Sequence, residues 1–207
     1  MITAKLKKKY EKLILELRFL TADYDYHRIA FDDSQAKFVE AFEEYREKNN
    51  LITPEEHILK TGEVGDDPED ESTELEAVED ERQRSRINAV ANSIFKKIAK
   101  ATHPDKIMHM TVEEQERRSG MFKEAQDASN KREWYRLLCI ATDLGISLPT
   151  PTKEHISLLE SKNKELRLTI VNIQKTYPMV YAKMPNEASK ENVFKEFAKA
   201  VGYISAD

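Results

Sequence analysis

From Leu6 to Tyr45 the chain repeats a seam residue every four, then every three positions: Leu6, Tyr10, Leu13, Leu17, Leu20, Tyr24, His27, Phe31, Ser34, Phe38, Ala41 and Tyr45. Only His27 and Ser34 depart from its apolar character. A strand alternates every two residues, so a 3.5-residue period held for more than four heptads leaves an α-helix with one buried edge. The flanks are charged: Lys7, Lys8, Lys9, Glu11 and Lys12 early, then Glu43, Glu44, Arg46, Glu47 and Lys48. No proline interrupts before Pro54, although Asp32-Asp33-Ser34 offers a place for a break. Residues 1–50 are expected to form one coiled-coil helix or an αα-hairpin.

A second seam runs through Ile156, Leu159, Asn163, Leu166, Ile170, Ile173 and Tyr177. Asn163 at a seam position resembles the polar residue that fixes register in coiled coils at some cost in stability; a frayed, solvent-facing site is the other reading. Residues 152–207 are thus read as a coiled-coil helix followed by a tail. Tyr177-Pro178 breaks the helix, and Ser189 begins a short amphipathic one with Val193, Phe194, Phe197 and Val201, stopped by Gly202. The two seams can pair within one chain or across a homodimer. The first is longer, so part of it must meet another surface.

Only 5 Gly among 207 residues, with 34% charged and 40% hydrophobic, point to an all-α chain of one or two domains. No apolar stretch approaches the length of a membrane span. The N-terminal sequence lacks the apolar run of a secretory signal. The single Cys139 sits among Leu137, Leu138 and Ile140 and reads as a buried hydrophobe in a reducing, cytoplasmic compartment. The net charge of −5 hides segregation: residues 55–81 hold 13 Asp/Glu and one Lys, net −12, which leaves +7 elsewhere. Such a block cannot build a core, and 51–81 reads as an acidic linker.

Between linker and second seam lies a third pattern, over 82–148. Ile87, Val90, Ala91, Ile94, Ile98 and Ala101 form one helical stripe, and Lys96, Lys97 and Lys100 lie off it. Pro104 disfavours the α conformation at His103, so that helix should stop there and present His103-Pro104-Asp105, with Lys106 beside it, to solvent. Residues 107–116 read as a loop and the entry to a helix carrying Phe122, Ala125 and Ala128. A third stripe holds Trp134, Leu137, Leu138, Ala141 and Leu144, and Gly145-Ile146 has the form of a left-handed cap.

Phe95-Lys96-Lys97-Ile98-Ala99-Lys100 running into His103-Pro104-Asp105-Lys106, then Phe122, Ala125 and Ala128, resembles the antiparallel hairpin of a J domain, the co-chaperone module of DnaJ-type proteins. The resemblance covers about 45 residues, from Ile87 to Asn130. It implies docking on a DnaK-type chaperone of the heat-shock-70 class and stimulation of its ATP hydrolysis. Lys96, Lys97 and Lys100 would meet an acidic surface, and His103, Pro104 and Asp105, beside Lys106, would be the trigger. The module is divergent. The family's aromatic-x-x-Leu-Gly first helix is missing, an early basic position is Asn92, and no zinc or Gly/Phe-rich segment follows. In layout the chain is similar to small J-domain proteins of large DNA viruses and tailed phages, for which the compartment would be the host cytoplasm and the client an unknown assembly held by the coiled-coil helices.

No phosphate loop, His-Glu-x-x-His or Gly-x-Ser-x-Gly occurs, and the five His lie apart from any cysteine cluster. The chain is expected to be a non-enzyme without cofactor or metal. Two other readings stand beside the co-chaperone: a coiled-coil structural or adaptor protein with an inactive J fold, and a nucleic-acid binder using the 7 basic residues between Arg82 and Lys106. The acidic block and the absence of a nucleic-acid-reading motif argue against the last.

Overall fold

A computed structural model describes residues 4–53, 90–148 and 150–205. The acidic segment 55–81 and Arg82, Arg84, Arg86 and Ile87 lie outside the described residues. The described chain is all-α apart from one two-stranded ribbon. Its elements are α1 (Ala4–Lys48), β1 (Leu51–Ile52), α2 (90–101), α3 (Pro104–Ile107), α4 (Val112–Asn130), α5 (Trp134–Asp143), α6 (Lys153–Gln174), α7 (Tyr177–Ala182), α8 (Glu187–Val201) and β2 (Ile204–Ser205). No described helix is long and apolar enough to cross a membrane.

The break considered at Asp32-Asp33-Ser34 does not occur, and α1 is one helix. Ser34 faces inward and donates its hydroxyl to Ala30 O at 2.7 Å, which supplies a local partner for a polar group in the seam. Asp33 points outward and pairs with Lys37 one turn on at 2.8 Å. No residue of the predicted seam is exposed.

The chain divides into two compact units that do not follow the segments 1–50, 51–81, 82–148 and 152–207. The first joins residues 1–21 to 71–165. In it Tyr10, Leu13, Ile14, Leu17 and Leu20 of α1 are buried, as are Ile156, Leu159 and Asn163 of α6. Lys9 pairs with Glu160 at 2.6 Å, and Asn163 Nδ2 donates to Leu13 O at 3.1 Å. Partner numbers rise together, so the two seams pair within one chain and run parallel there. A parallel pair needs a long connection, and that connection carries α2–α5. The second unit joins 22–70 to 166–207. Phe38 and Phe42 of α1 pack with Val193, Phe194 and Ala198 of α8, and Tyr45, Tyr177, Tyr181 and Phe197 surround them. The tail helix is thus core, and Val201 alone of its predicted apolar face is exposed. It starts at Glu187, earlier than Ser189, because Asn186 caps it by accepting from Ser189 N–H at 2.9 Å. The β1–β2 pair, Leu51 opposite Ser205 and Ile52 opposite Ile204, was not foreseen from sequence. Two residues per strand are too few for a period to register.

Candidate functional site

The site lies at the bend between α2 and α4. Ile94 and Ile98 are fully buried while Ser93, Lys96, Lys97 and Lys100 are exposed, as a 3.6-residue period requires. α4 returns antiparallel to α2. The rings of Phe95 and Phe122 stack with centroids 6.3 Å apart, Ala125 and Ala128 are buried, and Arg118 Nη1 donates to Ala101 O at 3.3 Å. Small alanines let the helices approach closely.

α2 ends where Pro104 demands it. His103 has φ −59° and ψ 137°, outside the helical region. Pro104 opens a single helical turn, α3, with His103 as its N-cap, ahead of the loop and helix entry read over 107–116, where α4 starts at Val112. A turn of four residues is too short to show periodicity. His103 Nδ1 accepts the Asp105 N–H at 3.3 Å and lies 3.5 Å from Asp105 Oδ2. In the neutral ring this leaves the proton on Nε2. The tripeptide is open to solvent, with side-chain exposure of 59% at His103 and 85% at Asp105. Its two ends are anchored. Thr102 is buried and donates its hydroxyl to Ile98 O at 2.9 Å; Ile107 is buried and its N–H bonds to His103 O at 3.3 Å. Beyond the turn, Gln115 Nε2 donates to Met110 O at 2.9 Å and Met108 O at 3.3 Å. The result is a rigid, outward Pro-Asp corner whose backbone polar groups are largely satisfied.

The structure brings His103, Pro104, Asp105 and Lys106 together and sets Lys96 and Lys100 one turn apart on the solvent face of α2. Lys97 differs. Its ammonium donates to Ser147 O at 3.1 Å, across 50 residues of sequence. It therefore ties α2 to the segment after α5, a role that sequence alone did not reveal. Sequence also passed over Arg118 and Glu114. Glu114 binds Arg117 and Arg118, both at 2.7 Å, and these two guanidiniums hold its carboxyl down to about 2. The i, i+3 and i, i+4 spacing of the three was a readable signal. The group thus fixes Arg118 where it caps the end of α2.

Away from the hairpin, Tyr10, Glu11, Ile14 and Leu15 of α1 line a largely apolar groove of ≈ 790 Å³ with Thr142, Ser147, Leu148 and Pro151. It holds no cluster of titratable groups suited to acid–base chemistry. Among the described residues no group of three His, Cys, Asp or Glu is placed to hold a metal. Compared with family models, curated proteins and solved structures, the chain matches none.

Proposed function

We propose that this chain is a co-chaperone whose divergent J domain docks on a DnaK-type chaperone of the heat-shock-70 class and stimulates its ATP hydrolysis. The observation that carries this reading is the exposed, end-anchored His103-Pro104-Asp105 corner at the tip of an antiparallel hairpin with Lys96 and Lys100 on its solvent face. An Asp held on a rigid turn is preorganised for a charge-assisted bond to a partner cation. Exposed lysines raise the rate of encounter with an acidic surface and reject wrong partners. The proposed setting is cytoplasmic, the chain itself is not the enzyme, and the cargo is an assembly recruited by the helices outside the hairpin.

The test is steady-state ATP hydrolysis by a DnaK-type chaperone with the full chain added. His103→Gln should abolish stimulation while leaving helicity and melting temperature nearly unchanged, because His103 is exposed. In the same assay Lys100→Ala should lower stimulation about two- to threefold at low salt, the factor that roughly 0.5 kcal/mol per exposed ion pair represents. Lys97→Ala should act instead by releasing the segment after α5 and lower the melting temperature. Absence of stimulation by the unaltered chain, across bacterial and eukaryotic chaperones, would leave the inactive-J adaptor as the reading.

A further inference from the structure

α1 carries a second 4,3 series, two residues out of phase with the buried seam and therefore on the opposite side of the helix. Leu15, Phe19, Ala22, Tyr26 and Ile29 are all exposed. The four large ones are open to solvent by 62% at Leu15, 68% at Phe19 and Tyr26, and 67% at Ile29. Scattered exposed apolar residues are ordinary in folded proteins. Four large ones at coiled-coil spacing on one stripe are a seam without its partner.

The charges on that stripe say which partner fits. Continued toward the N-terminus at the same spacing it reads Lys12, Lys8 and Lys5; toward the C-terminus it reads Asp33, Ala36, Glu40 and Glu43. All of these are exposed. Lys8 with Glu11, Asp33 with Lys37 and Glu43 with Arg46 form surface pairs one turn apart, which cost little to rearrange. The stripe is thus basic at one end, apolar in the middle and acidic at the other. Turned end for end, it complements itself.

We infer that this face of α1 binds the same face of a second copy, antiparallel, with the two-fold axis crossing α1 close to Ala22. The arrangement is isologous, as a closed two-fold dimer requires. Each lysine end meets an acidic end, and the small Ala22 lies near the axis, where two large residues would crowd. The parallel alternative would set three lysines against three lysines and is rejected by charge. This dimer uses neither the buried seam nor the His-Pro-Asp corner, so it stands or falls apart from the co-chaperone reading.

Sedimentation equilibrium of the full chain at micromolar concentration should give a dimer. Phe19→Asp with Tyr26→Asp should give a monomer of unchanged helicity, since both side chains are exposed, and Leu168→Asp, an exposed apolar site off α1, should leave the dimer intact. Orientation is read by energy transfer between dyes on Lys12→Cys and Asp33→Cys chains, both carrying Cys139→Ser. Strong transfer for the mixed 12/33 pair and weak transfer for 12/12 is the expected result. A monomer at every concentration, a dimer indifferent to the Phe19 and Tyr26 substitutions, or strong 12/12 transfer would each overturn the inference.

Discussion

Asn163 and Cys139 show how far a single residue can be read before its neighbours are known. The position of Asn163 in a seam leaves two readings open, a register-fixing polar residue and a frayed, solvent-facing one, and it is buried, with Nδ2 donating to Leu13 O and Oδ1 without a protein partner. What sequence did not tell was the acceptor, 150 residues away. Cys139 reads in sequence as an inert buried thiol; it is half-buried, and that burial pushes it up from an ordinary 9 to about 11. Its Sγ lies 4.0 Å from Thr21 Oγ1. Burial likewise raises Tyr10, and raises Tyr135 from an ordinary 10 to about 12 with Glu133 adding to the effect. All three are acids held protonated by the fold. The unfolded chain releases these protons at lower pH than the folded one, so the stability they contribute is complete below about 9 and is lost as pH rises toward the folded values. The melting temperature should therefore be flat from pH 7 to 9 with respect to these groups and fall between 9 and 11. Cys139→Ala should flatten the first part of that fall. An equal fall in the variant would show that the thiol is not held protonated by burial.

At the scale of elements, what sequence records best is a face, and what it records worst is a partner. The α1 seam, the α2 stripe and the α5 cap all followed from spacing. Pairing of α1 with α6 inside the chain did not, because a heptad pattern specifies a buried edge and not what covers it. The outer stripe of Leu15, Phe19, Tyr26 and Ile29 escaped notice because lysines and aspartates interleave with it and the inner seam dominates the pattern. Two glycines test the element-level account with one substitution of opposite sign. Gly145 sits at φ +66° just past α5; its N–H bonds to Thr142 O at 3.0 Å and that of Ile146 to Ala141 O at 2.8 Å, the Schellman pair. Gly120 lies inside α4. A methyl group would meet nothing within 4 Å at either position, so sterics with neighbours do not decide the outcome. Gly145→Ala should destabilise by about 1 kcal/mol, the penalty of a left-handed L-residue. Gly120→Ala should stabilise by about 1 kcal/mol through helix propensity. Urea titrations of the two variants should move in opposite directions; movement in the same direction would refute the assignment of one of these conformations.

For the molecule as a whole, the decisive element is α5. Tyr135, Leu137, Leu138, Ile140 and Ala141 are all buried, and at 100° per residue they span well over half of the helix circumference, with Arg136, Cys139 and Asp143 on the remaining side. A helix buried over so wide an arc needs neighbours on more than one side, and a two-helix hairpin supplies only part of them. The rest comes from outside 82–148. Arg18 of α1 forms an ion pair with Asp143, Thr21 lies against Cys139, and Lys162 of α6 sits 4.3 Å over the Tyr135 ring. Leu17 has no exposed surface. The run Trp134-Tyr135-Arg136-Leu137-Leu138-Cys139-Ile140-Ala141 carried this information in sequence, but as one stripe of a self-contained domain it looked satisfied. Its excess of apolar residues over a single face was the sign that more chain had to cover it. The consequence is measurable. The isolated segment 82–148 should show weak helicity and no cooperative thermal transition, because α5 would expose the surfaces that α1 and α6 cover. In the full chain Leu17→Ala should cost about 2–5 kcal/mol, the range for a fully buried leucine. A sharp, cooperative melt of 82–148 alone would mean that α2, α4 and α5 suffice, and that residues 1–21 only decorate a domain that folds without them.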